Sequence, residues 1–195
     1  MDALEWTASA MRAARAQLDV ATQNLANVSS DGFRRLAARV RLTPAGLVTT
    51  AGPTGEQGAV RNTGRPFDLA LLGPGTFRVG DATTRGGGFV RDRDGWLVDD
   101  RGRRLHGSRG PLRVSERATI DGDGIVRDGS RIVDRIPLPR GTHVLAGALE
   151  TSTVNAIGET LSILTAQRAF ETAQKTLLAI DATREKNAND VVRVQ

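Results

Sequence analysis

The stretch Leu18-Asp19-Val20-Ala21-Thr22-Gln23-Asn24-Leu25-Ala26-Asn27-Val28-Ser29-Ser30-Asp31-Gly32-Phe33 sets the architecture. Its first part continues a spacing that begins at Leu4: Leu4, Met11, Leu18 and Leu25 recur at intervals of seven, and Ala14, Ala21 and Val28 follow the last three of these by three residues. That is an a/d seam, which places one apolar edge along a helix. From Asp2 to Val28 there is neither Gly nor Pro, and Ala, Arg, Leu and Gln, good helix formers, dominate. About 25 helical residues span roughly 37 Å. The helix is expected to stop near Ser29-Ser30-Asp31-Gly32, with Gly32 taking the left-handed conformation of a helix exit and Phe33 anchoring the departing chain.

The other end of the chain repeats the pattern. From about Leu149 to Val192 there is no proline and a single glycine, Gly158; Ile163, Ala166, Phe170, Ala173, Leu177 and Ile180 alternate steps of three and four. This is a second seam, with Ser152 or Thr153 placed to cap its start. Each apolar stripe is too narrow to form a globular core by itself. The economical arrangement pairs the two helices and leaves apolar surface over for neighbours.

Between them, residues 59–148 alternate short apolar runs with turn signals. Phe67-Asp68-Leu69-Ala70-Leu71-Leu72 precedes Gly73-Pro74-Gly75, Trp96-Leu97-Val98 precedes Asp99-Asp100-Arg101-Gly102, and Ala118-Thr119-Ile120 precedes Asp121-Gly122-Asp123-Gly124. This is the pattern of a small antiparallel β domain. Residues 34–58 carry Pro44, Gly46, Gly52, Pro53, Gly55 and Gly58 and read as an extended linker, with one short strand around Val40-Arg41-Leu42. The expected fold is therefore α+β. A coiled-coil-like pair of terminal helices (1–33 and 149–195) encloses a linker (34–58) and a small, mostly antiparallel β domain (59–148).

The chain has 195 residues, 39% of them apolar and 4% aromatic, with no Cys and no Tyr. A core built mainly from Leu, Val, Ile and Ala is thin, and such a chain gains stability from neighbours in an assembly. The absence of Cys removes disulfides, thiolate chemistry and most structural zinc sites. The net charge is +5, but the signs are interleaved, as in Arg91-Asp92-Arg93-Asp94. A nucleic-acid binder concentrates its basic residues on one face beside stacking aromatics, so nucleic acid is not an expected partner. No segment approaches the ~18 apolar residues that span a bilayer. The start Met1-Asp2-Ala3-Leu4-Glu5-Trp6 lacks the basic and apolar regions of a secretory signal peptide.

Catalytic, metal and cofactor signals are weak. His106 and His143 have no paired His or Cys nearby, and Ser29, Ser30 and Ser108 lack a nucleophile elbow. Gly86-Gly87-Gly88 precedes a strand, lacks the Walker lysine and reads as a flexible hairpin tip. Asp121-Gly122-Asp123-Gly124 begins like a calcium loop, but its twelfth position is Ile132 where glutamate is needed, so a β-turn is expected. No enzymatic activity and no cofactor are expected.

Two segments carry a family resemblance. Asn24-Leu25-Ala26-Asn27, a short polar stretch and Gly32-Phe33-Arg34-Arg35 resemble the N-terminal signature of the bacterial flagellar rod and hook proteins. Leu149-Glu150-Thr151-Ser152-Thr153-Val154-Asn155, with Ala166-Gln167-Arg168-Ala169-Phe170-Glu171 and Lys175, resembles their C-terminal signature; Thr153 stands where the family usually has Asn. Arg65-Pro66-Phe67-Asp68-Leu69-Ala70 with Gly73, Gly75 and Phe77, then Phe89-Val90-Arg91-Asp92, is similar to the opening of the family's β domain.

The resemblance implies a structural subunit of the basal-body rod in the cell envelope, exported by the flagellar type III apparatus. It implies helical polymerisation with itself and other rod and hook proteins through the terminal helices, with no direct membrane span. Leu4, Met11, Leu18, Leu25, Ile163, Phe170, Leu177 and Ile180 would then form the assembly seam. Asn24, Asn27, Gly32, Phe33, Gln167 and Arg168 would be the motif residues. Asn24 and Asn27 have two open readings: polar contacts that fix register between subunits, or amides at a frayed helix end. Gln167 and Arg168 would bond between subunits or face solvent. The abbreviated middle suits a rod subunit better than a hook subunit, and Asp2, Leu4 and Thr7-Ala8 favour the proximal over the distal rod. The alternatives are a hook-type axial subunit and a monomeric β-domain binding module with a helical stalk.

Overall fold

The computed structural model describes residues 2–193, and side chains through Lys186. Met1 of the opening motif and positions 194–195 of the expected C-terminal helix lie outside the described residues. The architecture is α+β. Two helices, α1 (Ala3–Ala26) and α2 (Ala156–Arg193), flank fifteen short strands that pair antiparallel. The chain divides into two compact units. One gathers α1, a β-hairpin and α2; the other spans Asn27–Arg34 and Gly55–Thr153.

In the helical unit, the side chain of Glu5 reaches back to the start of α1. The Asp2 N–H donates to Glu5 Oε2 at 3.1 Å, and the Asp2 carbonyl accepts the Trp6 N–H. The start of α2 differs from expectation. Asn155, not Ser152 or Thr153, caps it, accepting the Gly158 N–H on Oδ1 at 3.0 Å. Residues 149–150, read as helix, belong instead to the last strand. The helices run antiparallel and pack together. Asn24 near the end of α1 bonds Glu159 near the start of α2, and Asp2 meets Arg184 at 2.5 Å near the opposite ends.

The expected linker is the clearest correction. Residues 34–58 contain a regular hairpin, β1 (Leu36–Thr43) and β2 (Gly46–Pro53), in register from Leu36↔Pro53 to Thr43↔Gly46. Leu36, Ala38, Val40 and Leu42 alternate with Ala37, Arg39, Arg41 and Thr43, the period-two signal of a strand. Pro44 and Gly46, taken as breakers, form its tight turn. The hairpin packs on α1, where the Leu47 N–H donates to Ser9 Oγ at 3.3 Å.

The β unit begins with β3 (Val60–Asn62) and β4 (Leu69–Leu72), which pair with the last two strands, β15 (Ala148–Glu150) and β14 (His143–Ala146). Between these lie β5 (Phe77–Val79) with β6 (Ala82–Thr84), β7 (Val90–Arg91) with β8 (Leu97–Val98), and β9 (His106–Gly107) with β10 (Gly110–Pro111). A three-stranded meander follows: β11 (Ala118–Ile120), β12 (Ile125–Asp128) and β13 (Arg131–Arg135). One cluster forms the core, with Leu69, Leu71, Phe77, Val79, Leu97, Leu105 and Val126 sealed from solvent. Phe77 and Phe89 meet edge to face, centroids 5.3 Å apart.

Three turns share one construction: Asp92-Arg93-Asp94-Gly95-Trp96, Asp99-Asp100-Arg101-Gly102-Arg103 and Asp121-Gly122-Asp123-Gly124-Ile125. In each, the first Asp accepts on Oδ1 the N–H groups two and four residues on, at 2.8–3.1 Å. The Gly then donates to that Asp's carbonyl from a positive φ. Asp121 therefore organises its own backbone, as the turn reading requires. The Gly86-Gly87-Gly88 run is not a free hairpin tip. Leu69 donates its N–H to the Gly87 carbonyl, and a Cβ on Gly87 would lie 1.7 Å from the Leu69 oxygen, so the run is pressed against β4.

Candidate assembly interface

The site sought is a surface, and the helical unit supplies it. Leu4, Met11, Leu18 and Leu25 of α1 and Ile163, Phe170, Leu177 and Ile180 of α2 are all half-buried. The fully buried positions of α1 are small: Thr7, Ser9, Ala13, Ala14, Ala21 and Asn24. On α2 they are Glu159 and Ala166. Small side chains on the facing surfaces let backbones approach closely, so the large seam residues sit at the margins of the contact. Ala14 and Ala21, the small members of the expected seam, are the ones fully buried, and Thr7 continues their seven-residue spacing one step toward the N-terminus.

Asn24 fits neither of its two readings. It is fully buried; Nδ2 donates to the Leu36 carbonyl at 2.8 Å and to Glu159 Oε2 at 3.2 Å, while Oδ1 accepts the Leu36 N–H at 2.8 Å. Asn24 thus brackets the first residue of β1 and ties it to α2. Asn27 closes the turn after α1, accepting the Ser30 N–H on its carbonyl and the Ser30 hydroxyl on Oδ1. Gly32 has the expected left-handed φ, +70°, but α1 ends earlier than expected, at Ala26, so Gly32 turns the connecting segment rather than closing the helix. Phe33 is half-buried, and its carbonyl accepts the Thr153 N–H at 3.1 Å. Gln167 and Arg168 are exposed on α2.

Sequence reading also missed two buried carboxylates. Glu159 is 2% exposed and accepts Arg35 Nε on Oε1 at 2.5 Å. In the β unit, Glu150 accepts Arg85 Nε and Nη2 on Oε2 at 2.8 and 2.5 Å. Both glutamates look like ordinary polar positions in the sequence; only the fold reveals their arginine partners. At the helix ends, the Arg184 hydrogen bond holds the exposed Asp2 carboxyl below its ordinary range.

A second apolar stripe runs along the outside of α2. Ile157, Leu161 and Leu164, at helical spacing, are 75%, 59% and 49% exposed, and Leu178 is 60% exposed. Beside it lies an open groove of about 380 Å³, walled by Val20 and Ala21, by Leu36–Ala38, and by Leu161, Ser162 and Ala166. On the hairpin, Leu42 is 65% exposed. Large apolar side chains left in water at regular spacing are the physical signature of a surface awaiting cover.

No helix among the described residues is long and apolar enough to cross a membrane. The described residues contain no cluster of three or more His, Asp or Glu fit to hold a metal ion. His143 Nδ1 lies 3.8 Å from Asp123 Oδ1 on an exposed face.

Comparison with known proteins places both chain ends. Residues 4–34 match the family model described as flagella basal body rod protein, and residues 145–191 match that described as flagellar basal body rod FlgEFG protein C-terminal. The chain is 28% identical to the flagellar basal-body rod protein FlgF of Caulobacter vibrioides, over 92% of each chain. It is 25% identical to the rod protein FlgG of Bacillus subtilis, over 93% of this chain and 96% of that one. Similarity to the flagellar hook protein FlgE of Brucella melitensis, 33%, covers 60% of this chain but only 34% of the hook protein. Both terminal regions are matched in order and rod proteins align along almost the whole length, so the chain is similar to the rod and hook family of flagellar axial proteins.

Proposed function

We propose that the protein is a structural subunit of the flagellar basal-body rod, located in the periplasmic part of the flagellum. It assembles with further copies and with other rod and hook proteins through its helical unit. The observation that carries this reading is the outer stripe Ile157–Leu161–Leu164, left exposed on α2. Alignment along nine-tenths of the rod relatives but a third of the hook relative favours rod over hook. The preference for the proximal rod rests on Asp2, Leu4 and Thr7-Ala8. On this reading the chain is not an enzyme, and the type III apparatus is its export route. The antiparallel helices act as a coiled-coil-like pair, with Leu4, Met11, Leu18, Leu25, Ile163, Phe170, Leu177 and Ile180 at its edges. A subunit joined to its neighbours by two different faces makes an open helical array.

The test substitutes the exposed stripe. Leu161→Asp with Leu164→Asp should leave the circular dichroism of the purified chain unchanged yet abolish incorporation into basal bodies and motility. Normal basal bodies in that strain would refute the assembly reading. Leu18 and Leu177 are poorer probes, because their half-burial makes any substitution there a test of folding as well.

A further inference from the structure

Arg34 and Arg35 are neighbours in sequence, but their charges go to different carboxylates. Arg34 Nε, buried and without a hydrogen-bond partner, faces Glu150 Oε1 at 4.0 Å within the β unit, a charge contact only, whereas Arg35 Nε donates to Glu159 Oε1 at 2.5 Å within the helical unit. We infer that this pair is a two-way latch: Arg35 with Glu159 and Asn24 closes the helical unit, Arg34 and Arg85 with Glu150 close the β unit, and each unit opens without the other. This goes beyond the assembly reading and does not depend on it.

The β-unit latch is built from five chain segments, at residues 32–34, 58, 71–75, 85 and 150. All five N–H donors of Arg85 are used: two on Glu150 Oε2, and the rest on the carbonyls of Leu71, Gly73 and Gly75 at 2.8–2.9 Å. Glu150 Oε1 accepts the Gly58 N–H at 3.1 Å, and its carbonyl accepts the Gly32 N–H at 2.6 Å. The fit leaves no room for side chains. A Cβ on Gly32 would lie 2.3 Å from the Arg85 carbonyl carbon, and one on Gly58 would lie 2.0 Å from the Thr151 oxygen. Glu150 is therefore the point where the segment leaving α1, the strand-ward chain at Gly58 and the final strand are fastened together.

The helical latch is smaller. Its Glu159 takes one guanidinium N–H and one amide N–H, and the same Asn24 amide group holds Leu36. A buried carboxylate is stable only with its partners, and removing one side leaves an uncompensated polar or charged group inside. The damage stays within the unit that holds the carboxylate, and the division of partners between residues 34 and 35 sets the border.

Hydrogen exchange of the purified full-length chain, read by mass spectrometry on peptides from each unit, tests this. Glu159→Gln should speed exchange about tenfold in α1 and α2 and change β4, β5 and β14 by less than about twofold. Glu150→Gln should do the reverse. Arg35→Lys, which keeps the charge but loses the Nε donor, should reproduce the Glu159→Gln pattern more weakly; this decides the matter should a glutamine variant fail to fold. Acceleration of the same peptides in both glutamine variants would overturn the inference. So would helices already unprotected in the parent chain, or an Arg35→Lys effect centred on the β unit.

Discussion

Phe77, Leu69, Leu71, Leu97 and Leu105 fill the middle of the β unit, whereas the buried positions of α1 are Ala, Ser, Thr and Asn. The first region buries a cluster of large apolar side chains, although Val90 and Ile132 on its surface are 62% and 54% exposed. The second packs on small ones and leaves Ile157, Leu161, Leu164 and Leu178 outside. Buried apolar area is what repays the entropy of ordering a chain, at about 25 cal/mol per Å². The β unit therefore stabilises itself, while the helical unit keeps part of its apolar surface in reserve. The difference reads as a division of labour between a fixed body and a joining surface.

That comparison can be attacked from both sides. The largest effect is expected at the β core. Phe77→Ala should cost about 3–5 kcal/mol, measured by chemical denaturation, because it removes both the transfer energy and the edge-to-face contact with Phe89. A loss below about 1 kcal/mol would mean that this core is not what holds the unit. Next comes Ala21→Leu, which forces a large side chain into the close helix contact. It should cost about 1–3 kcal/mol in the helical unit; no cost would show that the small-residue packing is slack. Asn24→Ala strands the Leu36 N–H and carbonyl and one Glu159 oxygen, and should cost a similar 1–3 kcal/mol. Circular dichroism would follow it as an earlier loss of helix on heating.

The smallest effect is electrostatic. Burial pushes the Asp99 carboxyl up, but the Arg103 N–H, the Arg103 guanidinium and the Arg101 N–H together outweigh it and hold the group below its ordinary range. A carboxyl depressed in the folded state stabilises above its unfolded pKa, about 3.9, and that stability drains away as pH falls through the lowered folded value. Asp99→Asn should therefore lower the β unit's stability at neutrality and lose its effect as pH falls below about 4, so that the two acid limbs converge. An unchanged acid limb would remove Asp99 from the account.

What the sequence disclosed follows from which signals are local. Heptad spacing marked Leu4 through Leu25 and Ile163 through Ile180, and the structure half-buries all of the seam residues chosen. Turn chemistry at Asp99-Asp100-Arg101-Gly102 and Asp121-Gly122-Asp123-Gly124 was equally plain, because an Asx turn is decided within five residues. The hairpin at Leu36–Pro53 was hidden by Pro44 and Gly46, which signal a break whether or not strands flank it. Least visible were Glu150 and Glu159. Arg85 lies 65 residues from Glu150, and Arg35 lies 124 from Glu159, and no periodicity encodes a partner at that distance. The same holds for Asn24, whose role depends on where β1 arrives.

One pairing carries a consequence for timing. Strands β3 and β4 have no strand partners until residues 143–150 arrive, since Leu72 pairs with His143 and Val60 with Glu150, and before then β4 meets the Gly86–Gly88 run at Leu69. The hairpins and the meander between them need only neighbours close in sequence. A chain emerging from its N-terminus can therefore make its turns early, yet must hold Leu69–Leu72 open until almost three-quarters of it has appeared. Closing so long a span is the slow event in a fold rich in distant pairings. Until then the most apolar strand of the protein is unsatisfied, and that interval is when the chain is most exposed to wrong partners and most easily kept unfolded by a helper.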